Sequence, residues 1–324
     1  MIPEPGKVEL QAVALREPGP DDVVIQTAYT SISAGTERML LAGQMPHPML
    51  RLPVVPGYET VGTVVDIGEN VSAEWLGRWV YVGGALCYEG VNSAWGGQAA
   101  MLFTNGQRVV PLEDVEPRHG VLLALAATAL HGIDLLNPAL GQPTEPAGQA
   151  PSRMLVLGQG PIGQLAARFA RNRGAWVAVA DRTASRLARA VADQVVHVET
   201  EPLTSAIREP VSVIVEATGS MAALADALPL LANGGTILLL GYYQTLQLPY
   251  MPLFMKQVKL LTAREWGPGD LVRCRDQMAN GTLEVASLLT HHQSIAAVTK
   301  AYDIALNDPD CLKLVLDWTV EQPV

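Results

Sequence analysis

The first part of the chain alternates apolar and polar residues, and this period of two predicts β-strands. Residues 23–29 (VVIQTAY) are rich in β-branched side chains and follow a turn-like run at 17–22 (EPGPDD). Residues 61–68 and 78–82 have the same character, with glycines between them. Short strands separated by glycine turns are typical of a small antiparallel barrel.

The pattern changes beyond residue 118. Residues 118–136 are rich in Ala and Leu, which predicts a helix, and the Pro- and Gly-containing residues 138–151 predict a surface loop. Short apolar strands then alternate with helices. We predict strands at 154–157, 176–180, 211–215 and 236–240, helices at 164–173 and 184–192, and a strand or helix at 311–316. Such alternation is typical of parallel strands joined by crossover helices, so the chain is predicted to be α/β, with an antiparallel barrel and a doubly wound parallel sheet.

Composition and charge restrict the class of protein. With 324 residues and 49% hydrophobic content, the chain can form two cores. The net charge of −10, without a dense Lys/Arg run, argues against a nucleic-acid partner and against docking on an anionic membrane. Three widely spaced cysteines predict a reducing compartment, and neither a signal peptide nor a transmembrane segment is expected. The predicted location is the cytoplasm.

A glycine motif at residues 158–163 (GQGPIG) follows a predicted strand and opens a predicted helix. Gly158 permits a tight turn, Gly160 leaves room for a pyrophosphate, and Gly163 lets the helix pack close to the strand. Asp181 ends the next predicted strand, at roughly the 20-residue separation expected of the acid that binds a ribose. This acid would repel a 2′-phosphate and therefore favours NAD. The neighbouring Arg182 could accept that phosphate and keeps NADP as the alternative.

Further glycines lie beside later predicted strands, at 217–219 (ATG), at 234–235 and at 241. We expect them to let the backbone approach the cofactor, with ordinary turns as the alternative. The predicted cofactor site therefore comprises Gly158, Gly160, Pro161, Ile162, Gly163, Asp181, Arg182, Ala217, Thr218, Gly219 and Gly241.

Together with this glycine motif, four short motifs make the chain resemble the medium-chain dehydrogenase/reductase superfamily. They are residues 33–37 (SAGTE), 55–59 (VPGYE), 96–99 (GGQA) and 127–131 (ATALH). The resemblance implies a GroES-like substrate domain at 1–125 and 264–324, and a Rossmann NAD-binding domain at 126–263. It also implies a dehydrogenase that acts on a CH–OH group.

The zinc ligands of that superfamily are missing. Zinc members carry Cys before a Gly-Thr-Asp-like triplet, where this chain has Ser33 or Ala34, and His in Gly-His-Glu, where it has Tyr58. The usual place of the third ligand holds apolar residues 122–124, and the four-cysteine structural lobe is absent. Because zinc sites use Cys, His, Asp or Glu, we expect no metal. The alternative is a rearranged site built from Glu37, Glu59 and His131.

A closer resemblance extends over both predicted domains and the C-terminal segment. It rests on residues 31–37, 43–46, 53–59, 263–266, 290–292, 301–302 and 308–318. These segments resemble the 3-hydroxyethyl bacteriochlorophyllide a dehydrogenase family of bacteriochlorophyll biosynthesis in photosynthesis. The resemblance implies NAD-dependent oxidation of a 3-(1-hydroxyethyl) group to 3-acetyl. One alternative is a zinc-free alcohol dehydrogenase or quinone reductase with a small substrate. Another is a nucleotide-binding regulator or pigment carrier without chemistry.

A metal-free oxidation is chemically reasonable for such a substrate. Its carbinol carbon is attached to a conjugated macrocycle, which can spread the positive charge that develops as hydride leaves. A proton must still depart, and Thr36, Tyr58, Glu59 and His131 are the candidate catalytic residues. With an ordinary pKa of about 10, Tyr58 suits hydrogen bonding, whereas Glu59 or His131 suits proton transfer. Structural roles for Glu59 and His131 are the alternative.

A flat macrocyclic substrate requires a broad apolar pocket. We predict a substrate pocket that includes Met45, Met49, Trp95, Tyr242 and Trp266. Core filling is the alternative for the methionines, and Arg38, Arg51 or Arg264 could bind a propionate. A homodimer joined through a Rossmann edge strand, with residues 238–243 as the candidate edge, is also expected from the resemblance.

Overall fold

The computed structural model describes residues 1–45, 51–136 and 152–320. These divide into two compact units: the first unit is Met1–Ala124 with Arg275–Val324, and the second unit is Leu125–Cys274. The domain boundaries drawn from the sequence stay a prediction. Met49 and the predicted loop at 138–151 lie outside the described residues.

The elements of both units are given in chain order. The strands are β1 (Asp22–Ser31), β2 (Val54–Val55), β3 (Thr60–Ile67), β4 (Trp79–Val82), β5 (Asn92–Ser93), β6 (Met101–Asn105), β7 (Val109–Pro111), β8 (Arg153–Leu157), β9 (Trp176–Asp181), β10 (Gln194–His197), β11 (Val211–Glu216), β12 (Leu231–Leu239), β13 (Lys259–Thr262), β14 (Leu289–Ser294) and β15 (Lys313–Asp317). The helices are α1 (Ala34–Leu41), α2 (Leu123–Leu135), α3 (Pro161–Asn172), α4 (Ala184–Leu187), α5 (Leu203–Ala206), α6 (Met221–Ala227), α7 (Tyr250–Met255), α8 (Asp270–Ala279) and α9 (Val298–Asn307).

The first unit is built on a bulged sheet in the order β14-β15-β1-β3-β4-β7, with β6 also paired to β1. The long strand β1 pairs with β3 on one side, and with β6 and then β15 along the other. Two register shifts interrupt the pairing of β1 with β3, as β-bulges do. Valine and isoleucine side chains fill the core beneath this sheet, as the alternating pattern predicts.

The second unit contains a parallel sheet in the order β10-β9-β8-β11-β12-β13. Residues 154–157 of β8 are all buried, as expected for a parallel strand covered on both faces. The chain order reverses between β8 and β11, and ligands of such sheets bind at the carboxyl ends of the strands beside this point. The predicted α/β class and the doubly wound parallel sheet are confirmed.

Three local expectations are wrong. The helix predicted at 184–192 ends at Leu187, because side chains of α3 bond the carbonyls of Arg186 and Arg189 and the chain turns toward β10. Gly234 and Gly235 lie at the amino end of the sheet, opposite the carboxyl edge, because the next residue pairs with the start of β13. Residues 238–239 belong to β12, which pairs with β11 and β13 and is therefore not an edge strand.

Candidate functional site

The glycines in the turn between β8 and α3 have two different roles: some are required by close packing, and one leaves space for a ligand. Gly158 has φ +87°, and a Cβ there would lie 2.7 Å from Thr218 Cγ2. A Cβ on Gly163 would lie 1.9 Å from the Gly158 carbonyl oxygen, so both positions require glycine for the fold. A Cβ on Gly160 would meet no atom within 4 Å, and Gly160 is the N-cap residue of α3. The open space therefore lies at a helix N-terminus, where unpaired N–H groups favour an anion.

A cavity of about 880 Å³ opens beside this turn. It is lined by six of the predicted cofactor residues, Gly158, Gly160, Asp181, Arg182, Ala217 and Thr218. The Asp181 carboxylate accepts hydrogen bonds from the Gln159 N–H (2.6 Å) and the Thr183 N–H (2.8 Å), which ties the glycine turn to the end of β9. Pro161 and Ile162 begin α3, while Gly219 and Gly241 follow β11 and β12.

Glu216, at the carboxyl end of β11, organises the loops on the other side of the cavity. Its buried carboxylate accepts hydrogen bonds from the N–H groups of Thr218 (2.7 Å) and Gly219 (3.1 Å). Its carbonyl accepts from the Gly241 N–H (3.0 Å). Burial raises the pKa of Glu216. The sequence reasoning missed this residue, although an acid that ends an apolar strand is a visible signal.

His131 lies in the second unit, on α2, beside a buried carboxylate. Its Nδ1 is 3.5 Å from Asp270 Oδ2. Asp270 is fixed in turn by the Gly267 N–H (2.7 Å) and the Arg273 guanidinium (2.9 Å). The two side chains form an ion pair when the imidazole is protonated.

In the first unit, Ser33, Thr36 and Tyr58 form a group that we name the hydroxyl cluster. The Tyr58 hydroxyl lies 2.6 Å from Ser33 Oγ and 3.2 Å from Thr36 Oγ1. Desolvation of the hydroxyl, together with the nearby Glu59, raises the pKa of Tyr58 above its ordinary value. Tyr58 therefore stays protonated near neutral pH and can both donate and accept a hydrogen bond.

Trp95 contacts the hydroxyl cluster edge-on. Its ring centroid lies 5.2 Å from that of Tyr58, and the planes meet at 67°. Trp95 has φ +69°, which is unusual for a bulky residue, and remains 39% exposed. An aromatic side chain held in a strained conformation at the surface is typical of a ligand contact.

Glu59 forms a buried ion pair with Lys313. Its Oε2 accepts a hydrogen bond from Ser31 Oγ and forms an ion pair with Lys313 Nζ. Both side chains of the pair are buried, with exposed fractions of 1% and 2%. This arrangement favours the structural alternative for Glu59 over a free base.

Glu37 belongs to a second buried group on the other side of Ser33. Its carboxyl oxygens accept hydrogen bonds from the Ser33 N–H (3.0 Å) and Gln98 Nε2 (3.1 Å), and it also contacts the Tyr302 hydroxyl. Burial raises the pKa of Glu37 to about 7. Sequence reasoning did not identify Gln98, Tyr302 or Lys313 as members of the site.

The described residues that were predicted to line the substrate pocket fall in both units, and the pocket itself stays a prediction. Trp95 joins the hydroxyl cluster, whereas Met45 packs against an apolar cluster that includes Leu40 and Ala94. Tyr242 is 51% exposed and Trp266 is half-buried, both in the second unit. Within the described part of the chain, no three His, Cys, Asp or Glu side chains are grouped so that they could hold a metal ion.

Comparisons with known proteins agree with this geometry. Residues 19–114 match the model of the alcohol dehydrogenase GroES-like domain, and residues 161–276 match that of the zinc-binding dehydrogenases. The chain is 34% identical over 318 residues to 2-desacetyl-2-hydroxyethyl bacteriochlorophyllide A dehydrogenase of Rhodobacter capsulatus, covering 97% of this chain and 96% of the relative. The chain belongs to the bacteriochlorophyllide a dehydrogenase family. It is therefore a medium-chain dehydrogenase that acts on a hydroxyl group.

Solved structures show the same fold. A protein described as a zinc-binding dehydrogenase, from Sinorhizobium meliloti 1021 and bound to NADP, superposes with a TM-score of 0.81 at 23% identity, covering 98% of this chain and 97% of that chain. A protein described as a short chain alcohol dehydrogenase from E. coli CFT073, complexed with NADH, has a TM-score of 0.82 at 20% identity and the same coverage. In this chain, no helix among the described residues is long and apolar enough to cross a membrane.

Replacing Lys313 by Met should destabilise the protein by about 3–5 kcal/mol, because it leaves the Glu59 carboxylate buried without its counter-charge. The double variant Lys313→Met/Glu59→Gln should recover a large part of this loss. Urea unfolding of both variants measures the effect. Lys7→Met, which removes the ion pair of an exposed lysine with Glu9, is the matched control and should leave the free energy of unfolding close to that of wild type. Equal losses in Lys313→Met and the control would contradict the structural role of the pair.

Proposed function

We propose that this chain oxidises the 3-(1-hydroxyethyl) group of a bacteriochlorophyllide to a 3-acetyl group, with NAD⁺ as the hydride acceptor and without zinc. The observation that carries the proposal is the hydroxyl cluster around Tyr58, which stands where zinc members have a histidine ligand. The name of the Rhodobacter capsulatus relative supports the tetrapyrrole substrate. The same substrate class would make this a step of bacteriochlorophyll biosynthesis.

The second unit fits a nicotinamide dinucleotide. The pyrophosphate would bind at the N-terminus of α3, where Gly160 leaves open space, and the ribose would bind at Asp181. Two solved neighbours carry NADP and NADH, which supports this class of cofactor. We propose NAD because the Asp181 carboxylate, at the cavity wall, would repel a 2′-phosphate. When bound, the oxidised nicotinamide accepts the hydride.

The side chains at the positions of the zinc ligands do not fit zinc. Ser33 or Ala34, Tyr58, and the apolar residues 122–124 offer no imidazole, thiolate or carboxylate. The two nearby acids are already engaged, Glu59 by Lys313 and Glu37 by Tyr302 and Gln98. We therefore propose a reaction in which hydrogen bonds, rather than a metal, hold the substrate oxygen.

In the proposed reaction the carbinol C–H bond breaks with its electron pair, the hydride goes to the nicotinamide, and the O–H proton leaves as the C=O bond forms. Ser33, Thr36 and Tyr58 would hold the carbinol oxygen through their hydroxyls. The conjugated ring would share the positive charge that develops at the carbinol carbon. His131, which lies beside Asp270 in the second unit, is our candidate for the proton acceptor or relay.

The apolar surface of the second unit supports a homodimer. β13 ends the order of the parallel sheet, and Leu260 on this strand is exposed. Helix α7, which precedes it, exposes Tyr250, Phe254 and Met255. An edge strand can pair with its own copy about a two-fold axis. Sedimentation velocity should show a dimer that Phe254→Lys weakens, and a wild-type monomer at micromolar concentration would overturn this inference.

The cysteines support a cytoplasmic location. Cys87 and Cys274 are buried thiols that form no disulfide bond. Unpaired thiols are typical of proteins that work in a reducing compartment.

The direct test is an absorption time course with 3-(1-hydroxyethyl) bacteriochlorophyllide, NAD⁺ and EDTA. We expect the red-shifted band of the 3-acetyl product, and a much slower reaction when NADP⁺ replaces NAD⁺. Tyr58→Phe should lower kcat by roughly tenfold or more, because one hydrogen bond to the reacting oxygen is lost. Tyr29→Phe, whose ring stacks on Trp79 away from the cluster, is the matched control. Turnover of simple alcohols or quinones, without conversion of the pigment, would instead support a small-substrate dehydrogenase.

Two glycine variants test the cofactor site. Gly160→Ala should keep the thermal stability of wild type, because its Cβ points into open space, but should weaken NADH binding about tenfold or more. Gly163→Ala should lower the free energy of unfolding by about 2 kcal/mol or more, because its Cβ would collide with the Gly158 carbonyl. Fluorescence titration and thermal unfolding measure both effects. Wild-type affinity of Gly160→Ala for NADH would contradict the proposed pyrophosphate position.

A further inference from the structure

We propose that Glu37 works as a neutral carboxylic acid that positions the hydroxyl cluster. The proposal rests on the proposed role of that cluster in holding the substrate oxygen. Glu37 is a positioning residue, because it contacts Ser33 rather than the reacting atoms.

The orientation of the Gln98 amide is fixed by a backbone carbonyl. The Ser31 carbonyl oxygen lies 3.3 Å from Gln98 Nε2, and a carbonyl can only accept a hydrogen bond. The NH₂ end of the amide therefore faces Ser31, and Oε1 faces the Tyr302 hydroxyl at 2.9 Å. An amide oxygen can only accept, so Tyr302 gives its single hydroxyl hydrogen to Gln98.

The contact between Glu37 and Tyr302 then requires a proton on the carboxyl group. Glu37 Oε2 lies within hydrogen-bond distance of the same Tyr302 hydroxyl, whose hydrogen is already used. The hydrogen of this second bond must come from Glu37 Oε2. Glu37 Oε1 remains an acceptor for the Ser33 N–H and for Gln98 Nε2. Every group in this arrangement has a partner of the right kind.

The distribution of charge around Glu37 agrees with the neutral form. The groups that face it are the Tyr302 hydroxyl from α9, Tyr58 and Glu59 from the segment before β3, Lys313 from β15, and the amino group of Met1. Lys313 forms its ion pair with Glu59, and the Met1 amino group donates to the Glu9 carbonyl. An ionised Glu37 would be a second buried carboxylate without its own ion-pair partner, which is costly.

Protonation of Glu37 matters for the reaction because of its place beside Ser33. Glu37 Oε1 holds the Ser33 N–H, and Ser33 Oγ holds the Tyr58 hydroxyl. Ionisation of Glu37 would remove the hydrogen bond that Tyr302 accepts. The single hydrogen of the Tyr302 hydroxyl would then face two acceptors, Glu37 Oε2 and Gln98 Oε1. Ionisation would also place a negative charge near an alcohol oxygen that is losing its proton. We expect the rate to fall as Glu37 ionises.

Infrared spectroscopy tests the protonation state without any turnover. The difference spectrum of wild type minus Glu37→Gln should contain the C=O band of a protonated carboxylic acid at about pH 6, and the band should disappear toward about pH 9. Glu74→Gln, which changes an exposed glutamate of the same unit, should give no such band. If wild type minus Glu37→Gln shows only a carboxylate band at about pH 6, the proposal is overturned.

The pH profile of kcat/KM for the pigment tests the positioning role. Wild type should lose activity as pH rises through about 7, whereas Glu37→Gln should lack this step, because the amide NH₂ can still donate to Tyr302. At about pH 6, Glu37→Gln should remain within roughly threefold of wild type, and Glu37→Ala should lose about tenfold or more. A step that persists in Glu37→Gln, or equal losses in both variants, would overturn the role. If wild-type protein does not convert the pigment, the proposed function is wrong. The infrared band would still measure the protonation state of Glu37 in that case.

Discussion

The buried ion pair between Lys313 and Glu59 is the interaction on which the site of the first unit depends. It joins β15, near the C-terminus, to the segment that carries Tyr58. Because both charges are buried, each is stable only in the presence of the other. The pair also places a positive charge beside the Glu59 carboxylate, which follows Tyr58 directly in the chain. The Tyr58 carbonyl accepts a hydrogen bond from the Tyr81 hydroxyl (2.7 Å), so this segment is held from the sheet as well.

Close backbone packing brings Gln98 into the buried group around Glu37. Gly57 has φ +95°, and a Cβ there would lie 2.5 Å from Gln98 Cγ. A Cβ on Gly97 would lie 2.3 Å from Thr60 Oγ1. Larger side chains at these two positions would displace Gln98, whose amide fixes the hydrogen-bond direction at Tyr302. The motifs at residues 55–59 and 96–99, which carry the resemblance to the superfamily, therefore both contribute to the placement of Gln98.

Much of the fold could be predicted from sequence because its signals are local. The alternating strands, the parallel sheet and the glycine turn with Asp181 each depend on residues that are near one another in the chain or on a known spacing. Helix α4 is shorter than its composition predicts, because side chains of another helix take its carbonyls. Tertiary contacts of this kind override local propensity.

The buried network of the site could not be predicted in the same way. Glu37 and Tyr302 are separated by 265 residues, and Lys313 lies near the other end of the chain from Ser31 and Glu59. No periodicity or spacing in one sequence reports such a pairing. The motif around Glu59 indicated an acid near the reaction, but only its partner shows that this acid is neutralised. In the sequence, Ser33 or Ala34 stands where zinc members have cysteine, but the sequence does not show that the Ser33 hydroxyl contacts the Tyr58 hydroxyl.

We propose that hydroxyl groups hold the substrate oxygen, where zinc members of the superfamily use a metal. Zinc content, determined by mass spectrometry on washed protein that converts the pigment, tests this claim most directly. The account predicts far less than one zinc per chain at full specific activity. About one zinc per chain, with activity that rises and falls with the metal, would contradict it.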